Sequence, residues 1–445
     1  AIPPRRCSVG RAMTAMAAEA EAEEPWDQRL TLRPPPYRGA MARLLDGLEI
    51  GDDVIDVLPD ATVSPCIKHR GGSSEMDGVE QLPEPAWVDW ELVRRGQALW
   101  SEHLGRAFLA LTAALLQGFT IARFAEVLQR AGYAQSPLTS CRRYAATAFF
   151  LHDWCRYPLD DAESRARRGI YTVRCMHSYA RRHSKGLFSR EAGEGVALSQ
   201  YDLGEVQLGF SAVCLSVMET ELAMGPLPRG DREAMVHMWR LVGWHLGIQD
   251  RFNVCNSLDD LEACFEDYMR WTPQRLRTCR ECTHTLQLAA VQGFGQHLFA
   301  GQRYWEGFLA ALQDFRGMEI PYVRVRPLPG MVAFVRLRWA VVGRSARVNA
   351  FLCRFVTLMR ETRRGRPVLA DWIETFVSPK VAAVNDSVVW RLLSLSARLA
   401  TASGLAIAPG KAARALAAIS AASVLLVCML VQRRRRPRLA LGGHA

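Results

Sequence analysis

The sequence predicts an all-α protein, and three observations carry that expectation. From Pro83 onward, apolar residues recur at helical spacing through most of the chain. These stretches are rich in Ala, Leu, Val, Arg and Trp and show little of the strict alternation that marks strands. Signals for helix starts and stops fall between the periodic segments, as Pro and Ser before them and Gly after them. With 445 residues, 49% of them hydrophobic and 23% charged, the chain can bury a sizeable core.

The elements follow in order. Residues 1–80 read as a disordered, low-complexity N-terminal region, with AAEAEAEE at 17–24 and HRGGSSEMDG at 69–78. No apolar segment follows the early arginines, so no secretory signal is expected, and the acidic run argues against a transit peptide. Pro83 and Pro85 precede a helical stretch with breaks near Gly118 and Gly132. Ser136 and Pro137 introduce TSCRRYAATAFFLHDWC, which Pro158 ends. DDAESRARRGIYTVRCMHSYARRHSKG then reads as a long helix, acidic at its start and basic towards its end, as the helix dipole prefers.

Another helix is expected from about Leu203 to Met224, and GPLPRGDRE turns the chain into DREAMVHMWRLVGWHLGI. Helices continue over 259–315 with an interruption expected at Trp271, Thr272 and Pro273. Residues 318–331, with three prolines, form a connector, and amphipathic segments return at 331–362 and 367–400. The main helical domain is thus placed at 81–375, a linker and amphipathic helix at 376–411, and a basic tail at 433–445.

Between these last two, 412–432 reads as a single C-terminal transmembrane helix. Ala415 to Val431 are 17 residues without a charge, and Gln432 and Arg433 to Arg436 follow. That length is at the short limit for a bilayer span. The formal charge of +11 does not point to nucleic acid. Five of the 56 basic residues are Arg433–Arg436 and Arg438, and no finger spacing or aromatic RNA-binding signature accompanies them. Cys141, Cys155, Cys175, Cys214, Cys255, Cys264 and Cys353 lie in apolar helical stretches, so buried, reduced thiols in a cytosol-facing protein are expected rather than a disulfide set.

Common catalytic signatures are missing: there is no nucleophile elbow, no glycine-rich phosphate loop before a helix and no HExxH. Only Glu281 and His284 have the Glu-x-x-His spacing that a di-iron bundle needs twice. Cys279, Cys282 and His284 read as structural, one position off the spacing for covalent haem attachment. His177 is the stronger candidate. Arg174 and Arg181 lie three before and four after it, on the same helix face, where cations could meet haem propionates. Arg143, 34 residues upstream, and Thr147 share one face of the preceding helix, which a short turn would lay antiparallel. Phe149, Phe150, Trp154, Tyr179 and Phe210 supply the apolar surroundings that a flat cofactor requires. A haem site and an ordinary core histidine both fit this pattern. His245 is the alternative ligand, and His183 belongs to a solvated basic helix end.

Five segments in order, PAWVDWELVRRGQALW, RRYAATAFFLHD, YTVRCMHSYAR, SQYDLGEVQLGF and HMWRLVGWHLGIQDRFNVC, resemble the haem-containing latex-clearing proteins (rubber oxygenases) and the related ER-bound oxygenases of MpaB type. The resemblance runs from about Pro85 to Asp267 and weakens towards residue 363. It implies a globin-like helical domain holding haem b, with His177 as the iron ligand. Arg143 and Thr147 would be catalytic and haem-pocket residues, and Arg174 would lie near the cofactor. It further implies dioxygen and a hydrophobic, isoprenoid or lipid-like substrate at the membrane of the endoplasmic reticulum or another organelle; it names no redox partner. Two positions depart from the rubber oxygenases. Ala146 stands where they have a basic residue before the threonine, and their catalytic glutamate has only Glu126, one place off, as a neighbour. Gln200, Asp202 and Gln207 are candidate pocket-facing polar groups, although helix capping explains Asp202 equally well.

Overall fold

The computed structural model describes residues 32–52, 55–56, 82–132, 134, 136–277, 281–297, 301–312 and 327–362. The expected segments at 367–400, 376–411, 412–432 and 433–445 lie outside the described residues. Among those described, every regular element is helical. Part of the stretch assigned to the low-complexity N-terminal region is folded into the core. Ala40–Gly47 forms a 3₁₀ helix that buries Met41 and Leu44, and Tyr37 is buried just ahead of it. Spaced apolar residues outweigh the Pro and Gly around them here.

The helices begin where their caps allow. Trp90–Glu102 (α1) starts behind Asp89, whose carboxylate accepts from the N–H groups of Glu91 and Leu92 at 2.9 and 3.2 Å. Leu104–Gly118 (α2) and Ala122–Arg130 (α3) follow, bent by 93° to one another. That bent pair is apolar enough to be a candidate broken span, but most of α2 is buried inside the fold; among the described residues no single helix is long and apolar enough to cross a membrane. Pro137–Arg156 (α4) begins with a Ser136–Thr139 capping box and Pro at its first position. Arg165–His183 (α5) begins at the Ser164 cap, so Asp160, Asp161 and Glu163 precede the helix instead of occupying its first turn.

Gln200–Leu208 (α6) runs on through two wider π-helical segments, Gly209–Val213 and Val217–Glu221. The Ser211 hydroxyl donates to the Gln207 carbonyl and the Thr220 hydroxyl to that of Ser216, which competes with the regular ladder. Arg229–His245 (α7) and Leu258–Arg277 (α8) come next. The break expected at 271–273 does not occur, and Pro273 lies inside α8. Tyr268, Met269 and Trp271 are buried, and the Thr272 hydroxyl donates to the Tyr268 carbonyl, so packing holds the helix where propensity would end it. Glu281–His297 (α9), Gln302–Leu312 (α10), Met331–Arg344 (α11) and Ala346–Thr362 (α12) complete the bundle.

Four helices meet at Trp239 of α7. Its ring lies 5.7 Å from Trp100 of α1, 6.4 Å from Trp154 of α4 and 5.7 Å from Phe210 of α6. Helices α1 and α7 approach closely because position 96 is glycine; a Cβ there would lie 2.3 Å from the Ala234 carbonyl oxygen. The seven expected buried thiols are free, and six are buried, with Cys353 half-buried. Burial alone pushes the Cys155 thiol up to about 12, so it stays protonated at neutral pH. Cys279 lies outside the described residues.

Candidate functional site

Helices α4 and α5 pack against each other. Gly169 of α5 sets the register: a Cβ there would lie 3.2 Å from Phe150 and 3.3 Å from Trp154, both on α4. His177 is eight residues further along α5, or about 12 Å at the helical rise. An antiparallel partner then brings the first half of α4, with Arg143, alongside it. The electrostatics agree. The imidazole is held down to about 4, first by burial and then by Arg181 and Arg143, with Asp52 pulling weakly the other way. His177 is therefore neutral at physiological pH, and its Nδ1 is buried without a hydrogen-bond partner.

Arg143 and Thr147 are both half-buried, and the Thr147 hydroxyl donates to the Arg143 carbonyl at 3.2 Å. That bond uses the hydroxyl proton and leaves the oxygen as an acceptor. Ala146 is exposed, so the position that is basic in the rubber oxygenases faces outward here. Glu126 sits half-buried on α3.

Arg174 has a different setting from the one expected. Its side chain is 2% exposed and grips Asp52 with both prongs, Nε to Oδ2 at 2.6 Å and Nη2 to Oδ1 at 2.7 Å. It belongs to a stripe of buried arginines seven residues apart on α5, each matched to an acid that precedes α1 in the chain. Arg167 holds Glu84 at 2.5 Å, Arg174 holds Asp52, and Arg181 pairs with Asp56, which also accepts from the Ser178 hydroxyl. Arg181 further donates two N–H groups to the Leu198 carbonyl at 3.0 and 2.8 Å, fixing Leu198 in a left-handed backbone conformation at φ 50°. Gly247 makes room for the central pair; at φ 89° it tolerates the turn, and a Cβ would fall 2.4 Å from Asp52 Oδ2.

Sequence reasoning found Arg174, His177 and Arg181 from helical periodicity but missed Asp52, Asp56 and Glu84. Asp52 and Asp56 lie in a segment whose composition looked unstructured. One signal was present, a heptad spacing of arginines on a helix too buried to leave them unpaired.

His245, at the end of α7, is buried, and burial followed by Arg167 and Arg174 pushes its imidazole down to about 3. Its Nε2 lies 3.8 Å from Glu84 and has no hydrogen bond. The arginines that lower the His245 imidazole, Arg167 and Arg174, differ from Arg181 and Arg143, which lower that of His177. Tyr179 stacks on His183 at 3.7 Å, at the exposed end of α5. The polar residues of α6 hold backbone. Gln200 donates to the carbonyls of Gly51 and Gly247, both at 2.8 Å, and Gln207 donates to that of Trp239. Asp202 closes the Ser199 capping box and pairs with the buried Arg123 at 2.9 Å. Arg123 also donates to the carbonyls of Leu32, Glu194 and Val196.

Among the described residues no group of three or more His, Cys, Asp or Glu side chains is arranged to hold a metal ion. What the helices do present is a neutral histidine with an unpartnered buried nitrogen between two arginines, a donor set suited to a single axial bond to a metal that a cofactor already carries. The class defined by the fold is an all-helical protein. The family model described as ER-bound oxygenase mpaB/B'/Rubber oxygenase, catalytic domain, matches residues 100–417, and the chain belongs to that family. The family's description implies oxygenase activity, and with it dioxygen and a small-molecule substrate; it suggests an iron cofactor and an association with membrane. No curated protein and no solved structure matches the chain.

Proposed function

We propose that the protein is a haem-dependent oxygenase in which His177 would hold the iron of haem b. The observation that carries this reading is the buried, unpartnered Nδ1 of an imidazole kept neutral by burial, Arg181 and Arg143. Neutral imidazole is the form that binds iron. When bound, the haem supplies the dioxygen chemistry. The chain's own residues do the rest. Arg143 would offer positive charge to the propionates, since Arg181 is already held by Asp56 and the Leu198 carbonyl. The Thr147 oxygen would offer an acceptor on the same helix face as Arg143. Arg174 serves the site from behind, since its bond to Asp52 fixes the helix that carries His177. The domain would be globin-like in the sense that one helix presents the ligand to a cofactor between packed helices. The substrate class is hydrophobic, isoprenoid or lipid-like, reached at an organelle membrane such as the endoplasmic reticulum, with the segment at 412–432 as anchor.

A second reading, a non-enzymatic haem or gas sensor, is favoured by one observation: the outward-facing Ala146 leaves the threonine without a basic neighbour at that position. Absorption spectra of the full chain supplied with haem, beside His177→Ala, test ligation. A Soret band in the parent that is lost or shifted in the variant is expected. An identical spectrum in both would remove His177 as ligand, and His245→Ala would then be measured. Oxygen uptake with isoprenoid substrates separates the oxygenase from the sensor.

A further inference from the structure

The outer face of α12 departs from the rest of the surface. Phe351 is 65% exposed, well above the other large apolar side chains at the surface, and Phe355 stacks beside it at 6.5 Å. Arg347, Phe351, Arg354 and Phe355 share one helical stripe, with Arg344 just ahead of it. Arg344, Arg347 and Arg354 are exposed and have no ion-pair or hydrogen-bond partner among the described residues. The opposite face of α12 is pinned, which fixes the orientation of this stripe. Asn349 donates to the Glu102 carbonyl at 2.6 Å and accepts from the Arg106 N–H at 3.2 Å, and Leu352 fills the space that Gly105 leaves open.

We propose that this face docks on an anionic lipid surface. An aromatic ring set among exposed guanidinium groups matches the boundary between headgroups and acyl chains, where the ring is buried and the arginines meet phosphate. Charge argues against two other occupants. Residues 363–445 hold thirteen basic and only three acidic side chains, so they carry the same sign as this face. A second copy of α12 would oppose arginine with arginine. Phe351 argues against nucleic acid, because a ring on the exposed, convex side of a helix offers poor stacking to a base.

The position of the face bears on the rest of the molecule. Arg360, at the end of α12, donates to Asp153 of α4 and lies 5.6 Å from the ring of Phe149. Docking would therefore hold α4, which also carries Arg143 and Thr147, close to the lipid boundary. The proposal concerns a surface separate from His177 and does not need haem to be bound.

A local readout tests it in the full chain, whatever the C-terminal segment does. A photoreactive benzoyl-phenylalanine replaces Phe351, and the protein is irradiated with vesicles of phosphatidylcholine containing about 30 mol% phosphatidylserine. Lipid adducts at 351 are expected, about fivefold fewer for each charge removed in Arg347→Gln and Arg354→Gln, and retained in Arg347→Lys/Arg354→Lys. The same label at Leu288, 39% exposed on α9, should capture little lipid. Equal capture with and without phosphatidylserine would overturn the proposal. So would adducts to the protein's own chain, or to added RNA in preference to vesicles. Phe351→Ser serves as a second variant: the site is exposed, so the far-UV spectrum should be unchanged while vesicle-dependent protection of α12 from hydrogen exchange is lost.

Discussion

Replacing Asp52 with alanine should unfold the protein more readily than its place in an irregular segment suggests. The carboxylate is 4% exposed and its partner Arg174 is 2% exposed, with bonds of 2.6 and 2.7 Å between them. Nη1 of Arg174 is already buried without a partner, so Asp52 is what satisfies this guanidinium. Removing it strands a charge where water does not reach, at a cost of about 3–5 kcal/mol. The lower figure is about a 150-fold change in the unfolding constant, and about a third of the stability of a typical domain. Asp52→Ala/Arg174→Met should recover most of the loss, because a buried pair replaced by apolar groups is often close to neutral. Urea denaturation followed by far-UV circular dichroism measures all three proteins. A loss below about 1 kcal/mol in Asp52→Ala, or a double variant no better than the single one, would show that the pair is solvated and refute the reasoning.

Two further predictions concern acid and packing. The folded imidazole of His177 sits at about 4 and the unfolded one at about 6.5. The unfolded chain thus takes up the proton first as pH falls. Stability is full above about 6.5 and declines between there and 4, by about 3 kcal/mol from this residue. Nuclear magnetic resonance of the histidine ring should show no titration down to pH 5, and a midpoint near 6.5 would sink the claim that the site is dry. Gly96→Ala should destabilise the protein by about 1–3 kcal/mol, since its Cβ would lie 2.3 Å from the Ala234 carbonyl oxygen and push α1 from α7. A thermal midpoint equal to the parent's would mean that the two helices can separate at no cost.

Helices are local objects, and what depends only on them was legible in the chain. The start at Ser136 and Pro137, the antiparallel turn between α4 and α5, and the shared face of Arg174, His177 and Arg181 all follow from residues a few places apart. The same locality misled at Pro273, where propensity breaks a helix that the packing of Trp271 and its neighbours maintains. Gln200 and Gln207 looked like pocket groups because an isolated polar residue on an apolar helix invites that reading. Their partners, Gly51, Gly247 and Trp239, are named by the fold alone.

By itself, then, the sequence determined an all-helical chain and its family and singled out His177 as a candidate, because periodicity and capping are written within a few turns. Only the tertiary structure decided what surrounds that histidine. Asp52 reaches Arg174 across 122 residues of sequence and forms a buried ion pair with it. His245 falls among different arginines from His177, although each has a buried ring nitrogen and lies on a long helix. A charge in a dry interior must find its partner wherever the chain returns to it, and no spacing along the sequence encodes where that is.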